Sequence, residues 1–286
     1  MLEPLLINQQ FGFRPRKSTE LNLLTQVDFL LDALERGYQV DTIYTDFSKA
    51  FDRVPHNILL HKLKMIGLDE PLLSWCKSYL SDRRQIVKIG TFLSKIIHVP
   101  SGVPQGSHLG PLLFNIFIND INECFTTCLF LLFADDLKLS CIIKSPDDCG
   151  KLQYDLNNLV DWCEINGMEL NPTKCKIMTY TRSRNTIDSD YMIGCHSLER
   201  TSLFKDLGVT LDTSLQFSHH LDNVINKAFQ MLGFIKRCTQ DFTSTIALKT
   251  PYCALVRPHL EYASCVWSLF YGVHIDVLQR IEGVQT

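Results

Sequence analysis

No apolar run in the sequence reaches the roughly 18 residues that a membrane-spanning helix needs. The opening, MLEPLLINQQ, lacks the basic segment and the long apolar core of a secretory leader. Cysteine is not scarce, with 11 residues, but the number is odd and no two stand as CxxC. That argues against a disulfide framework or a zinc site. It fits reduced thiols, several of them in apolar periodic segments (Cys76, Cys163, Cys253). Excess positive charge is missing too: 28 Lys and Arg face 31 Asp and Glu, a formal net charge of −3. A surface basic all over is thereby excluded, whereas a local basic groove is not. The histidine pairs His56/His61 and His219–His220 lack metal-ligand spacing and read as surface or capping residues. Internal repeats and low-complexity segments are absent as well. What remains is an ordinary globular composition over 286 residues, enough for one large domain or two to three lobes.

Periodicity supplies the elements. Residues 18–36 carry Leu23, Leu24, Val27, Leu30, Leu31 and Leu34 at helical spacing, with Ser18 or Thr19 as the N-cap and Gly37 as the stop. YQVDTIYTDF reads as a strand ending at Asp46. VPHNILLHKLKMIG and DEPLLSWCKSYLSD read as helices, the second capped by Asp69, and RRQIVKIGTFLSKIIHVP as a hairpin around Gly90. SGVPQGSHLGP is loop, and LLFNIFINDINECF is an apolar helix. The helix in SPDDCGKLQYDLNNLVDWCEING has Ser145 as cap, Pro146 at its first position, acids in its first turn and Gly167 at its end. KCKIMTYT and SLFKDLGVTLD read as strands, the second with Gly208 inside it. From Phe217 on, Leu221, Val224, Ile225, Ala228 and Leu232 form a helical stripe. A further helical region around 244–270 is interrupted by Pro251 and Pro258. Strands far apart in sequence, together with a hairpin, predict an α+β fold rather than a doubly wound parallel sheet.

The chemistry concentrates in CLFLLFADDLKLSC (128–141). Leu129–Phe133 and Leu137–Ile143 read as two strands joined through adjacent carboxylates, Asp135 and Asp136. Two like charges about 4 Å apart repel by about 4 kcal/mol at an effective dielectric of about 20. Either the acids sit in water at a hairpin tip, or a divalent metal offsets their repulsion. Asp46 repeats the pattern of an apolar strand followed by an acid. If its strand lies beside the hairpin, three carboxylates converge at one sheet edge. Such an oxygen-rich site suits Mg²⁺ bound together with substrate phosphates.

Six segments then occur in one order: QFGFRPRKST (10–19), YTDFSKAFDRVPH (44–56), SGVPQGSHLGPLLFNIFINDI (101–121), LFADDL (132–137), NGMELNPTKCKIM (166–178) and FKDLGV (204–209). Together they resemble the reverse transcriptase domain of LINE-type, non-LTR retrotransposons of the jockey-like group, over nearly the whole chain. The resemblance implies a right-hand polymerase fold: partial fingers at 1–39, a palm with an antiparallel sheet at 40–215 carrying a fingers insertion at about 55–100, and a helical thumb at 216–286. It implies RNA-directed DNA synthesis, with two Mg²⁺ ions (Mn²⁺ as a substitute), an RNA template, a DNA primer and dNTPs. It implies no membrane role and a location in the nucleus or cytoplasm.

The roles it implies fall on particular residues. Asp46, Asp135 and Asp136 resemble the metal ligands, and Lys174 the lysine facing the leaving pyrophosphate. The backbone carbonyl of Phe47 resembles a holder of the incoming triphosphate's ion. Phe51 matches the steric gate that excludes a 2′-hydroxyl, which argues against an RNA-making palm polymerase. Gln105 and Gly106 resemble the loop touching nucleotide and template, and Leu207–Gly208 the primer-grip hairpin. Arg14, Arg16, Lys17, Arg83 and Arg84 are candidate phosphate contacts on primer or template. Two departures stand out. Only nine residues precede Gln10, where the family carries a segment that grips the triphosphate, and the chain stops at LQRIEGVQT. A copy short at both ends is expected from this, with weak or no activity in isolation, or nucleic-acid binding alone. His108 stands where an apolar residue is more usual.

Overall fold

A computed structural model describes residues 5–242 and 244–267, so residues 268–286 of the expected thumb lie outside the described residues. The chain divides into two units, Met1–Asn22 with Leu30–Thr201, and Leu23–Phe29 with Ser202–Thr286.

Helix α1 (Thr19–Glu35), whose segment Leu23–Phe29 is counted with the second unit, starts where the Ser18 side chain accepts the Leu21 N–H at 3.2 Å, and it stops before Gly37 at φ +78°. Strand β1 (Gln39–Thr45) is buried along its whole length, as a central strand with both faces covered must be. Next come α2 (Ala50–Arg53), α3 (His56–Met65) and α4 (Leu72–Leu80). The α4 helix starts later than DEPLLSWCKSYLSD predicts, and Asp69 meets it through its backbone carbonyl, which accepts the Leu72 and Leu73 N–H groups. The hairpin expected around Gly90 is present as two short ladders: β2 (Arg84–Gln85) with β5 (Ile97–His98), and β3 (Lys88–Ile89) with β4 (Phe92–Leu93).

After α5 (Leu109–Phe117) and a 3-10 turn (Asn119–Cys124), β6 (Leu129–Phe133) and β7 (Asp136–Ile143) form the predicted hairpin. Helix α6 (Pro146–Asn166) packs on β7 and carries the cap, proline and C-terminal Gly167 read from its sequence. Its buried Asp155 carboxylate accepts from the backbone N–H groups of Thr126, Thr127 and Cys128, which fixes the entry to β6 and satisfies a charge that burial would otherwise make costly. Strand β8 (Lys176–Tyr180) follows, then the small β9–β10 pair (Met192–Ile193, His196–Ser197) and β11 (Glu199–Arg200).

The five-stranded sheet runs β11-β8-β1-β7-β6, antiparallel except for the β11–β8 pair. One apolar cluster joins it to the helices. The fold is α+β, as predicted.

The second unit holds β12 (Leu203–Asp206) and β13 (Val209–Asp212), then α7 (Ser218–Cys238), α8 (Thr245–Leu255), α9 (Arg257–Glu261) and α10 (Ser264–Trp267). SLFKDLGVTLD is therefore a hairpin rather than one strand, because Leu207 (φ +42°) and Gly208 (φ +91°) are both left-handed. This hairpin groups with the helical unit, whereas the sequence boundary near 215 placed it with the palm. Pro251 sits inside α8, and the break comes between Leu255 and Arg257, just before Pro258. His220 is buried on the apolar side of α7 with Leu221 and Val224, not at the surface. Its Nδ1 accepts the Thr210 N–H at 3.2 Å, and burial pushes its pKa down to about 4. All eleven cysteines are free thiols.

Candidate active site

The sheet register assembles the site. In the β1–β7 ladder Thr45 faces Leu137, so Asp46, one residue further, leaves the sheet at the edge where the β6–β7 turn lies. Its backbone is tied to the chain after α6. Asn171 N–H donates to the Asp46 carbonyl at 2.8 Å, and Ser48 N–H to the Glu169 carbonyl at 2.7 Å. The Asp46 N–H donates to the Cys175 Sγ at 3.4 Å. Burial pushes that thiol up to about 11, so it stays neutral.

Phe133 pairs with Asp136, leaving Ala134–Asp135 as a two-residue turn. Ala134 takes φ +57°, a left-handed conformation without a glycine. The Asp135 carboxyl is pushed above its ordinary value by burial first, and then by the charge of Asp46. The two charges therefore lie within electrostatic reach of each other. Asp136 is exposed at the first position of β7. Among the described residues, no group of three or more His, Cys, Asp or Glu side chains is gathered closely enough to hold a metal ion. The Lys174 Nζ lies 3.4 Å from the Asp46 Oδ2.

Phe51 is half-buried. Its ring stacks on Phe114 (4.2 Å between centroids, 18°) and meets Phe13 edge-on (6.2 Å, 81°). The SGVPQG loop is seated on α2: Gly102 N–H donates to the Val54 carbonyl and Val103 N–H to the Phe51 carbonyl, each at 2.8 Å. A Cβ on Gly102 would lie 2.7 Å from the Asp52 carbonyl oxygen. Gln105 is exposed and donates to the Asp52 Oδ1 at 2.9 Å, and Gly106 stands in open space at φ +79°. Phe47 is buried and bridges Leu170.

The candidate phosphate contacts are dispersed. Arg14 donates to the Ile7 carbonyl at 2.5 Å, and Lys17 bonds the Asn8 carbonyl with its ammonium 4.4 Å from the Phe11 ring centroid. Arg16 is exposed, Arg83 lies over the Tyr79 ring at 6.0 Å, and Arg84 is exposed on β2. In the second unit the Leu207–Gly208 turn borders a cavity of about 550 Å³ whose lining includes Lys205, Lys227, His220 and Tyr262.

Sequence reasoning missed the residues that support the site. Gln10, Gly12, Phe13, Phe114 and Cys175 carry no charge. The only signal for any of the five was its place in one of the quoted motifs.

The α+β fold brings Asp46 and the Asp135 turn to one edge of the five-stranded sheet. The family model described as "Reverse transcriptase (RNA-dependent DNA polymerase)" matches residues 1–235, and the chain belongs to that family. It is 30% identical to the RNA-directed DNA polymerase from mobile element jockey of Drosophila funebris, over 99% of this chain and 33% of that protein. It is also 30% identical to the probable RNA-directed DNA polymerase from transposon BS of Drosophila melanogaster, over 97% of this chain and 32% of that one. The chain thus spans about a third of the length of these relatives. An apo telomerase structure from Candida tropicalis overlays with a TM-score of 0.49 at 13% identity, covering 98% of this chain and 52% of that one. Reverse transcriptases as a family use divalent metals. No helix among the described residues is long and apolar enough to cross a membrane.

Proposed function

We propose that this chain carries the polymerase core of a non-LTR retrotransposon reverse transcriptase, extending a DNA primer on an RNA template. The observation that carries the reading is the register that sets Asp46 and the Asp135 turn at the same sheet edge, near enough for one carboxylate to raise the other. The donor set fits a hard divalent cation, because every candidate ligand is an oxygen, from a carboxylate or from the Phe47 carbonyl. A cation between Asp46 and Asp135 would also remove the repulsion that raises Asp135. Asp46 and Asp135, with Asp136 in support, would hold two Mg²⁺ (or Mn²⁺), the substrate phosphates completing the shell. When bound, the metals activate the primer 3′-hydroxyl and stabilise the leaving pyrophosphate.

The chain's own residues do the rest. The Phe47 carbonyl, two residues past β1, would help to hold the triphosphate's ion. Lys174, already drawn to Asp46, places a positive charge where the pyrophosphate leaves. Phe51, held between two rings, has no freedom to swing away from the sugar C2′, so a 2′-hydroxyl is refused. Gln105 and Gly106 present an amide and open backbone to nucleotide and template. Arg16, Arg83 and Arg84, with Arg14 and Lys17, contact backbone phosphates, and Leu207–Gly208 grips the primer. Here residues 1–39 are partial fingers, 40–215 the palm with a fingers insertion at about 55–100, and 216–286 the thumb.

The test is single-nucleotide incorporation on an RNA-templated DNA primer with dNTPs and Mg²⁺, beside Asp135→Ala/Asp136→Ala. Incorporation that the double variant abolishes is expected. A folded chain that binds primer–template but adds nothing would reduce the function to nucleic-acid binding.

A further inference from the structure

The Asp135 turn is not held by its own hairpin alone. Segment 9–12 lies along β6 as a short parallel neighbour: Leu132 N–H donates to the Gln9 carbonyl at 2.9 Å, and Phe11 N–H to the Leu132 carbonyl at 2.8 Å. That places the Gln10 side chain against the turn, 1% exposed. Its Oε1 accepts the Ala134 N–H at 2.9 Å and the Gly12 N–H at 2.8 Å, and its Nε2 donates to the Ala134 carbonyl at 3.0 Å. One amide thus satisfies both backbone groups of the residue preceding Asp135. Gly12 makes the approach possible, since a Cβ there would lie 2.2 Å from the Ala134 nitrogen. The Asn115 Nδ2 in turn donates to the Gly12 carbonyl at 2.8 Å.

Ala134 has no right to its left-handed φ on intrinsic grounds. Such strain persists only where the surroundings over-determine it. A hairpin turn offers its outward groups no internal partner, and here water is excluded. Glutamine is the side chain that supplies one acceptor and one donor at that reach without a charge. Glutamate would set an oxygen against the Ala134 carbonyl and a second negative charge near Asp135.

We propose that Gln10 is a positioning residue for the metal-binding carboxylates: it locks the Ala134–Asp135 turn, so that the direction of the Asp135 carboxyl is set by a segment 124 residues away in sequence. The proposal rests on the reading of Asp135 as a metal ligand.

Site-resolved amide exchange on the whole chain, corrected for intrinsic rates, tests it independently of activity. In Gln10→Leu the Ala134 amide should lose protection at least tenfold, while Leu131 and Leu139 keep theirs. In Gln10→Glu the protonated acid again offers one donor and one acceptor, so protection should be higher at pH 5 than at pH 7.5. The wild-type chain at the same two pH values removes the contribution of Asp135, and a general cost of burying a carboxylate would lower protection at Leu131 and Leu139 as well as at Ala134. Mn²⁺ binding followed by electron paramagnetic resonance should weaken about tenfold in Gln10→Leu. Unchanged Ala134 protection overturns the proposal, as does equal loss along both strands, which would make Gln10 a general fold determinant. If Gln10→Leu does not fold, the pH comparison in Gln10→Glu decides alone. A wild-type chain that exchanges as expected yet binds no Mn²⁺ overturns the metal reading of Asp135, with the exchange data still deciding Gln10.

Discussion

Two hairpin turns in this molecule answer the same local problem differently. Ala134–Asp135 joins β6 to β7 and Leu207–Gly208 joins β12 to β13, and each puts a non-glycine residue at positive φ, +57° and +42°. Each is also closed by a side chain remote in sequence. At the first, the buried Gln10 amide makes both bonds to Ala134. At the second, the Tyr262 hydroxyl donates to the Leu207 carbonyl at 2.7 Å, and its ring covers Gly208, but Tyr262 is 40% exposed. Polar groups out of water must all be paired, so the first turn has one acceptable geometry. The second turn has water as an alternative partner and can relax. Metal-directed chemistry needs a group fixed to about 0.5 Å, whereas a strand grip tolerates slack.

Removing the charge from the first turn should give the largest effect. Asp135→Asn is expected to lower nucleotide incorporation by about 10³-fold or more, the scale for deleting one member of a catalytic unit. The same change should stabilise the metal-free chain at pH 7. Burial and the Asp46 charge raise the folded pKa above the unfolded 3.8, so the ionised carboxylate costs stability. That cost is absent below the unfolded value, grows as pH rises from there to the folded one, and is constant above it. Thermal unfolding should therefore show the variant melting higher at pH 7, with the advantage gone by about pH 4. Each 1 kcal/mol corresponds to about 2–4 °C in a chain of this size. A lower melting temperature at pH 7 would mean that Asp135 is a structural anchor rather than a strained ligand. For the same reason, protons should compete with divalent metal as pH falls toward the raised pKa.

Phe51→Val probes how rigidly the neighbouring wall is built. The ring is stacked from one side and met edge-on from another, so trimming it should relax the preference for dNTPs over rNTPs by about 10- to 200-fold, as for loss of steric bulk in a tight pocket. Competition between dATP and ATP on one template reads this directly. An unchanged ratio would move the sugar filter elsewhere.

A methyl group added at each turn sets the two side by side. In Gly12→Ala the Cβ meets backbone at 2.2 Å, which cannot yield without shifting the turn, so about 1–3 kcal/mol of stability and part of the activity should go together. In Gly208→Ala the Cβ meets the Tyr262 ring at 2.9 Å, and the remaining cost is the φ of +91°, about 1 kcal/mol. Urea unfolding of both variants measures the difference. Equal costs would erase the distinction between a dry turn and a wet one.

How much of this was legible in the sequence follows from range. The α1 cap, the α6 punctuation and the β6–β7 hairpin are local signals, and they were read nearly to the residue. The α+β class followed from strand spacing. The alternation of acids with apolar strands pointed to Asp46 and Asp135, although spatial convergence came only with the register. SLFKDLGVTLD was read as one strand with Gly208 inside it, although the resemblance implied a primer-grip hairpin at Leu207–Gly208, and the left-handed φ of both residues makes it two strands. The His219–His220 pair was read as surface or capping because it lacks metal-ligand spacing, whereas helical phase sets the two about 100° apart, which leaves His219 exposed and buries His220. Gln10 was invisible for a related reason: an uncharged side chain acts here only through hydrogen bonds to backbone 124 residues away.

The smallest expected effect tests the tolerant turn. Tyr262→Phe removes one hydroxyl donor from a partly exposed site, so the Leu207 carbonyl can turn to water, and stability should fall by about 1 kcal/mol or less. If the turn grips the primer, the loss should appear as a modest rise in primer–template Kd, with the rate of incorporation at saturation unchanged. Lys205→Ala and Lys227→Ala, in the cavity beside it, separate charge from geometry. Each should reduce the salt dependence of binding by about one unit of slope if the lysine meets a phosphate, whereas Tyr262→Phe should leave the slope alone. A fall in saturated rate after Tyr262→Phe would show that this turn, too, is held to the tolerance of the chemistry, and the contrast between the two clamps would disappear.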